Sequence, residues 1–185
     1  MTSQVKKRNC SRIKILILTA FERFFHTALY CYYIKSCKYQ YKVVYPIQKA
    51  SSIHQLSDIK CDDSFLKDAV EKFKSGHRLF FCSDNGNLIA YGWLTNSITS
   101  YYAWEIANTI HFNQPVMVLY NSFVSPNYRR RGIQKSLIHA RINENIEGVL
   151  LAVYAESTNI PSIKAITSCG FSFVAKLTHF SNRVK

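Results

Sequence analysis

The alternation of apolar and polar positions divides the chain into segments with distinct periods, and each period predicts an element. Across residues 13–34 the polar positions Thr19, Glu22, Arg23, His26 and Thr27 recur at spacings of three and four, which predicts a helix with a narrow polar stripe and a wide apolar face. Residues 42–47 read as a strand. Residues 62–75 carry Phe65, Leu66, Ala69, Val70 and Phe73 at helical spacing, and Gly76 closes that helix. Two β-rich runs, 78–83 and 88–94, flank Asp84-Asn85-Gly86-Asn87, and Asn-Gly is the strongest short-range signal for a hairpin turn. Residues 95–114 show no clean period and read as an irregular or partly helical connection.

The pattern sharpens after Pro115. Residues 115–124 predict a strand and 132–146 a helix with Leu137, Ile138, Ile142 and Ile146 on one side. Residues 149–155 form a continuous apolar run. A strand–helix–strand unit makes its two strands parallel, and the continuous run implies burial on both faces. A short helix over 159–169 ends at Gly170, with Pro161 in its first turn, where amide hydrogens have no helical partner. A last strand follows over 171–177. The expected fold is α/β, with residues 1–40 as a basic, amphipathic helical segment ahead of a domain over 41–185.

Composition narrows the partners. The 185 residues are 48% hydrophobic and 14% aromatic, enough for one sizeable core, and 24 Lys and Arg against 11 Asp and Glu give a net charge of +13. Such a balance favours anionic partners, among them phosphorylated cofactors, nucleotide-linked substrates, nucleic acid and anionic membranes. The six cysteines are scattered, with no Cys-x-x-Cys pair and no His spacing suited to zinc, so no metal is expected. Free thiols fit a reducing compartment, and the expected location is the cytoplasm. Glu22 and Arg23 interrupt the apolar run that follows the basic start, and no uninterrupted apolar stretch of about 20 residues occurs. The wide face of 13–34 suits packing on the domain, a homodimer partner, or peripheral contact with the inner face of an anionic membrane.

The segment Val124-Ser125-Pro126-Asn127-Tyr128-Arg129-Arg130-Arg131-Gly132-Ile133-Gln134 holds the most chemistry. It joins a strand to a helix N-terminus, where unpaired amides and the helix dipole make a seat for a diphosphate. Three arginines add charge, and Gly132 lets a phosphate approach backbone that a Cβ would shield. From Arg129 to Arg141 there are only basic charges. A solvated basic loop or a nucleic-acid footprint would carry the same charge, but the strand-to-helix junction with glycine inside it favours the phosphate cradle over nucleic acid.

This segment resembles the cofactor motif of the GNAT superfamily of acyl-CoA-dependent N-acyltransferases, Arg/Gln-x-x-Gly-x-Gly/Ala after a strand that ends near a proline. Arg129, Gly132 and Pro126-Asn127-Tyr128 match it. Asn159-Ile160-Pro161-Ser162 and Gly170-Phe171 resemble the superfamily's second block, and the element order agrees over about residues 42 to 180. The resemblance implies a mixed, mostly antiparallel sheet flanked by helices, in which the strands at 115–124 and 149–155 splay apart to admit acetyl-CoA or another acyl-CoA. It implies cofactor contacts at Phe123 and Val124 on the strand, at Arg129, Arg130, Arg131, Gly132, Ile133 and Gln134 on the loop, and at Asn159 and Ser162 beside the pantetheine arm. Gln134 departs from the motif's small residue. Ile166 stands where the superfamily often has a tyrosine acid, and Tyr120 and Asn121 where it often has an acidic residue.

The implied activity is transfer of an acetyl or short acyl group to an amine, with an amino sugar or other anionic small molecule as the acceptor suggested by the basic surface. The rival is a non-catalytic protein on a degenerate scaffold that binds anions, nucleic acid or membrane surfaces. An amine must shed a proton before attack, so carboxylates are the candidate bases. Glu105 is the lone acidic residue between Asn85 and Asn143, and Glu156 directly follows the second parallel strand.

Overall fold

The computed structural model describes residues 29–34, 42–144, 149–178 and 183–184. The sheet has nine strands: β1 (Leu29–Ile34), β2 (Gln48–Ala50), β3 (Arg78–Asp84), β4 (Asn87–Leu94), β5 (Ile98–Ala103), β6 (Asn108–Val124), β7 (Leu150–Glu156), β8 (Ser172–Leu177) and β9 (Arg183–Val184). Three α-helices accompany them, α1 (Asp63–Lys74), α2 (Ile133–Asn143) and α3 (Ile160–Ser168). The spatial order is β2-β3-β4-β6-β7-β1-β8, with β5 and β9 also pairing with β6. Every pairing is antiparallel except β6 with β7 and the short β6 with β9, so the sheet is mixed, as expected.

The period of two along β6 divides the core into two layers. Met117 and Leu119 face α2 and α3, meeting Leu137, Ile138, Ile142 and Ile166. Val116, Val118 and Tyr120 face the opposite side, with Trp93, Phe81 and Ala69 of α1. Each large apolar side chain buried this way contributes roughly 1.5–3 kcal/mol, and both faces of the central strands are covered, which explains their unbroken apolar runs. Asn85 (φ 49°) and Gly86 (φ 73°) turn the β3–β4 hairpin with two successive left-handed residues, the conformation that Asn-Gly accepts most readily.

Three elements differ from expectation. Residues 95–114 form a second hairpin, β5 and the start of β6, in place of an irregular connection. Ala107 in the left-handed region (φ 46°) closes its turn, and the register shift between Ile98 and Ser100 spares Pro115 from donating to the β5 ladder. The early strand is Gln48–Ala50, and 42–47 lie outside any strand, with a bend at Tyr45. Residues 29–34, read as the end of a helix, are β1, antiparallel to both β7 and β8. The polar stripe ends at Thr27, and Leu-Tyr-Cys-Tyr-Tyr-Ile has the aromatic content that favours a strand paired on both edges. The rest of that expected helix, 13–28, lies outside the described residues, as does Ile146. Among the described residues no helix is long and apolar enough to cross a membrane.

Candidate active site

The β6–β7 ladder runs from Val116↔Leu150 to Leu119↔Val153 and stops there, although β6 continues to Val124 and β7 to Glu156. Beyond that point β6 stays with β4, through Tyr120↔Trp93, Phe123↔Tyr91 and Val124↔Ala90. Asn121 and Ser122 together oppose the single residue Gly92, a β-bulge, and Asn121 takes φ 45° to make it. The bulge bends β6 away from β7. The strands part into a cleft of about 250 Å3, walled by Tyr120, Gln134, Arg141, Tyr154, Glu156 and Asn159 among others.

The loop from β6 to α2 closes one end of this cleft. Pro126–Tyr128 form a single 3-10 turn, Arg130 adopts φ 62° and Gly132, the N-cap of α2, φ 82°. A Cβ built on Gly132 has no heavy atom within 4 Å, so the glycine opens onto free space. The Ser136 amide donates to the Gly132 carbonyl at 3.1 Å, and the amides of Ile133, Gln134 and Lys135 are the first-turn donors that helix geometry leaves without partners. Arg129 Nε donates to the Val124 carbonyl at 3.1 Å, the Tyr128 hydroxyl donates to Asp84 Oδ2 at 2.6 Å, and the Arg131 guanidinium lies 5.2 Å from the Tyr128 ring centre. These contacts fix the loop on the β3–β4 turn.

The expected site residues divide by place. Glu105, Glu156, Gln134, Asn159 and Ser162 meet at the cleft. Asn159 caps α3, its Oδ1 accepting the Ser162 amide at 3.2 Å. Gln134 lies half-buried along the wall, so the departure from a small residue places an amide side chain inside the cleft. Arg129, Arg130 and Arg131 are exposed on the loop, while Ile133 is buried and offers only its amide. Phe123 turns to the α1 side and stacks on Tyr91 with ring centres 5.5 Å apart; Val124 packs against the core. Neither is among the residues that line the cleft. Trp93 is core, but Trp104 is 81% exposed and packs edge-on to Tyr102.

Several residues at the cleft went unread in the sequence. Tyr154 donates to the Tyr101 hydroxyl at 3.1 Å, and burial, reinforced by the charge of Glu105, raises both phenol pKa values, so both stay protonated. The Tyr120 hydroxyl meets His77 Nδ1 at 2.6 Å. Burial raises the Tyr120 phenol, while burial and then the nearby Lys72 lower the His77 imidazole, so a neutral ring accepts from a protonated phenol. Tyr154 passes in the sequence as one more member of an apolar strand. Arg141 passes as surface charge, yet it sits four residues after Leu137 and three after Ile138, on the apolar face of α2.

On the α1 side of the sheet, beside Tyr91 of β4 and Phe123 of β6, lies a wider pocket of about 650 Å3. Its walls include Phe65, Tyr91 and Phe123 and the carboxylates of Asp62 and Asp68. The wider pocket lies on the α1 side of the sheet, whereas the cleft between the parted strands takes residues from both of its faces.

The acetyltransferase (GNAT) family profile matches residues 43–171, and the chain belongs to that family. No curated protein matches it. Among solved structures, a GNAT-family acetyltransferase from Colwellia psychrerythraea aligns at 18% identity and TM-score 0.51, over 81% of this chain and 53% of its own. An acetyltransferase described as putative, from the GNAT family of Novosphingobium aromaticivorans, aligns at 14% identity and TM-score 0.52, over 81% of this chain and 61% of its own. A GCN5-related N-acetyltransferase from Sphaerobacter thermophilus aligns at 9% identity and TM-score 0.54, over 88% and 53%. The chain therefore spans between about half and three-fifths of these structures' lengths, and they share its fold.

Proposed function

We propose that this chain transfers an acetyl or other short acyl group from acyl-CoA to the amine of a small molecule, an amino sugar being the acceptor class the site suits best. The observation that carries the reading is the bulge-driven parting of β6 from β7 beside a glycine-opened helix N-terminus. The fit to acyl-CoA is chemical. First-turn amides and exposed arginines suit a diphosphate, and the free edges of Tyr120–Val124 and Tyr154–Glu156 suit the amides of a pantetheine arm.

Bound acyl-CoA supplies an activated thioester. The amides from Arg130 to Gln134, with the Arg130 and Arg131 guanidinia, hold the diphosphate. Asn159 and Ser162 flank the arm. The α1-side pocket takes the acceptor: Phe65, Tyr91 and Phe123 offer flat apolar faces for a sugar ring, and Asp62 and Asp68 attract an ammonium group. Those carboxylates favour an amine-bearing sugar over an anionic acceptor, which refines the inference from net charge. Glu105 takes the proton from the attacking amine, and the protonated phenols of Tyr101 and Tyr154 lie beside it as donors for the leaving thiolate. Holding the amine against the thioester supplies much of the acceleration. A cytoplasmic location, with residues 1–28 docking to a second copy or to a membrane surface, is part of the same proposal.

The test is release of CoA thiol from acetyl-CoA in the presence of a panel of amino sugars, beside melting curves with acetyl-CoA and with heparin. Thiol release that depends on an amino sugar, with stabilisation by acetyl-CoA, supports the enzyme. Stabilisation by heparin alone, without thiol release, would establish the polyanion-binding alternative.

A further inference from the structure

Arg141 is 1% exposed, among the most buried large side chains among the described residues. Its Nε donates to the Leu137 carbonyl at 3.0 Å and its Nη1 to the Trp93 carbonyl at 3.2 Å. A guanidinium has five N–H donors, so these bonds leave three without an acceptor among the described residues. None of the ion pairs among the described residues involves it. Gly92, which opposes the bulge, lies directly over it, since a Cβ there would fall 2.7 Å from Nη1. Arg141 is also one of the residues that wall the cleft.

Burial lowers its pKa to about 9, which leaves it charged at neutral pH. A neutral donor would satisfy the two carbonyls; a buried cation without a counter-ion among the described residues is costly and calls for an anion. The depth of the site says where that anion belongs. Along α2, Arg141 lies roughly 13 Å beyond Gly132, at 1.5 Å per residue, level with the bulge where β6 and β7 part. A CoA thioester whose diphosphate rests on the loop carries no second anion at that depth except one on the acyl chain itself. Glu105 and Glu156 line the same cleft without bonding to Arg141.

We propose that Arg141 reads the acyl group, its free N–H donors taking the terminal carboxylate of a short dicarboxylic acyl chain such as malonyl or succinyl, so that a carboxylate-ended acyl-CoA is the preferred donor. This inference rests on the acyl-CoA reading of the cleft and names the cosubstrate class of that site.

The experiment is calorimetric titration of the full chain with CoA, acetyl-CoA, malonyl-CoA and succinyl-CoA, on the wild type, Arg141→Met and Arg141→Lys, with a melting curve of each protein alone. The wild type is expected to bind malonyl- or succinyl-CoA at least about tenfold more tightly than acetyl-CoA. Arg141→Met is expected to level that preference while acetyl-CoA still binds; the loss of two donors to buried carbonyls lowers its melting temperature modestly, and a cooperative melting curve shows that it is folded. Arg141→Lys keeps the cation and part of the preference. Equal wild-type affinity for acetyl-CoA and both dicarboxylic thioesters would overturn the proposal and leave the acyl-CoA reading standing. So would an Arg141→Met protein that melts well below wild type and loses all CoA ligands alike, the signature of a purely structural arginine. If no CoA thioester binds the wild type, the acyl-CoA reading itself falls.

Discussion

Glu105 and Glu156 are far apart in sequence yet line one cleft, and the choice between them as base follows from their neighbours. The charge of Glu105 acts on the Tyr101 and Tyr154 phenols, which pack in the core layer on the α1 side of the sheet. Glu105→Gln is therefore expected to cut turnover about a hundredfold with CoA affinity unchanged, and Glu156→Gln to stay near wild type. Near-normal activity of Glu105→Gln from about pH 6 to 9 would move the role to Glu156 or remove it. His77 gives a second expectation at this scale. Its folded pKa is lowered by burial and by Lys72, so below the ordinary value of 6.5 the unfolded chain binds a proton that the folded one does not. Stability is complete above that value and falls as pH drops through it, and His77→Asn should flatten the fall in denaturant titrations between about pH 7 and 5. Gly132, Asn159 and both carboxylates were legible in the sequence because a loop motif, a cap and an isolated charge are local signals. Arg141, Tyr120 and Tyr154 were not, because on a covered strand or helix face only tertiary packing says which side chain meets a cleft.

Among the elements, β1 has the largest consequence. It pairs with β7 on one edge and β8 on the other, so it completes the sheet beside the cleft although it lies ahead of the family match at 43–171. Deleting residues 1–28 leaves β1 in place and is expected to preserve the melting temperature and CoA binding. Deleting residues 1–41 strips both ladders and is expected to lower the melting temperature by at least about 2–4 °C, the shift that roughly 1 kcal/mol produces in a domain of this size. Equal melting of the two truncations would show that β1 adds nothing to the domain. The β6–α2–β7 unit and the β3–β4 hairpin were readable from period and turn residues. The β5–β6 hairpin was not: its turn uses Ala107 in a left-handed conformation, with no Asn-Gly to mark it.

For the whole molecule, a net charge of +13 draws anions without selecting one, and the fold does the selecting. The exposed arginines lie on the loop that follows β6, and the pocket with Asp62 and Asp68 lies on the α1 side of the sheet, so on the proposed reading donor and acceptor would approach by separate routes. That division depends on acyl-CoA occupying the parting of β6 and β7 with its diphosphate on the Gly132 loop. The direct measurement is calorimetric titration of wild type and Gly132→Glu with acetyl-CoA, each shown to be folded by its melting curve. Gly132 faces open space but holds φ 82°, so the variant carries some backbone strain, and its carboxylate stands where the phosphates would lie. The account predicts saturable one-to-one binding to wild type and a loss of at least about a hundredfold, ~2.7 kcal/mol, in the folded variant. Unchanged affinity in a folded Gly132→Glu protein would contradict it.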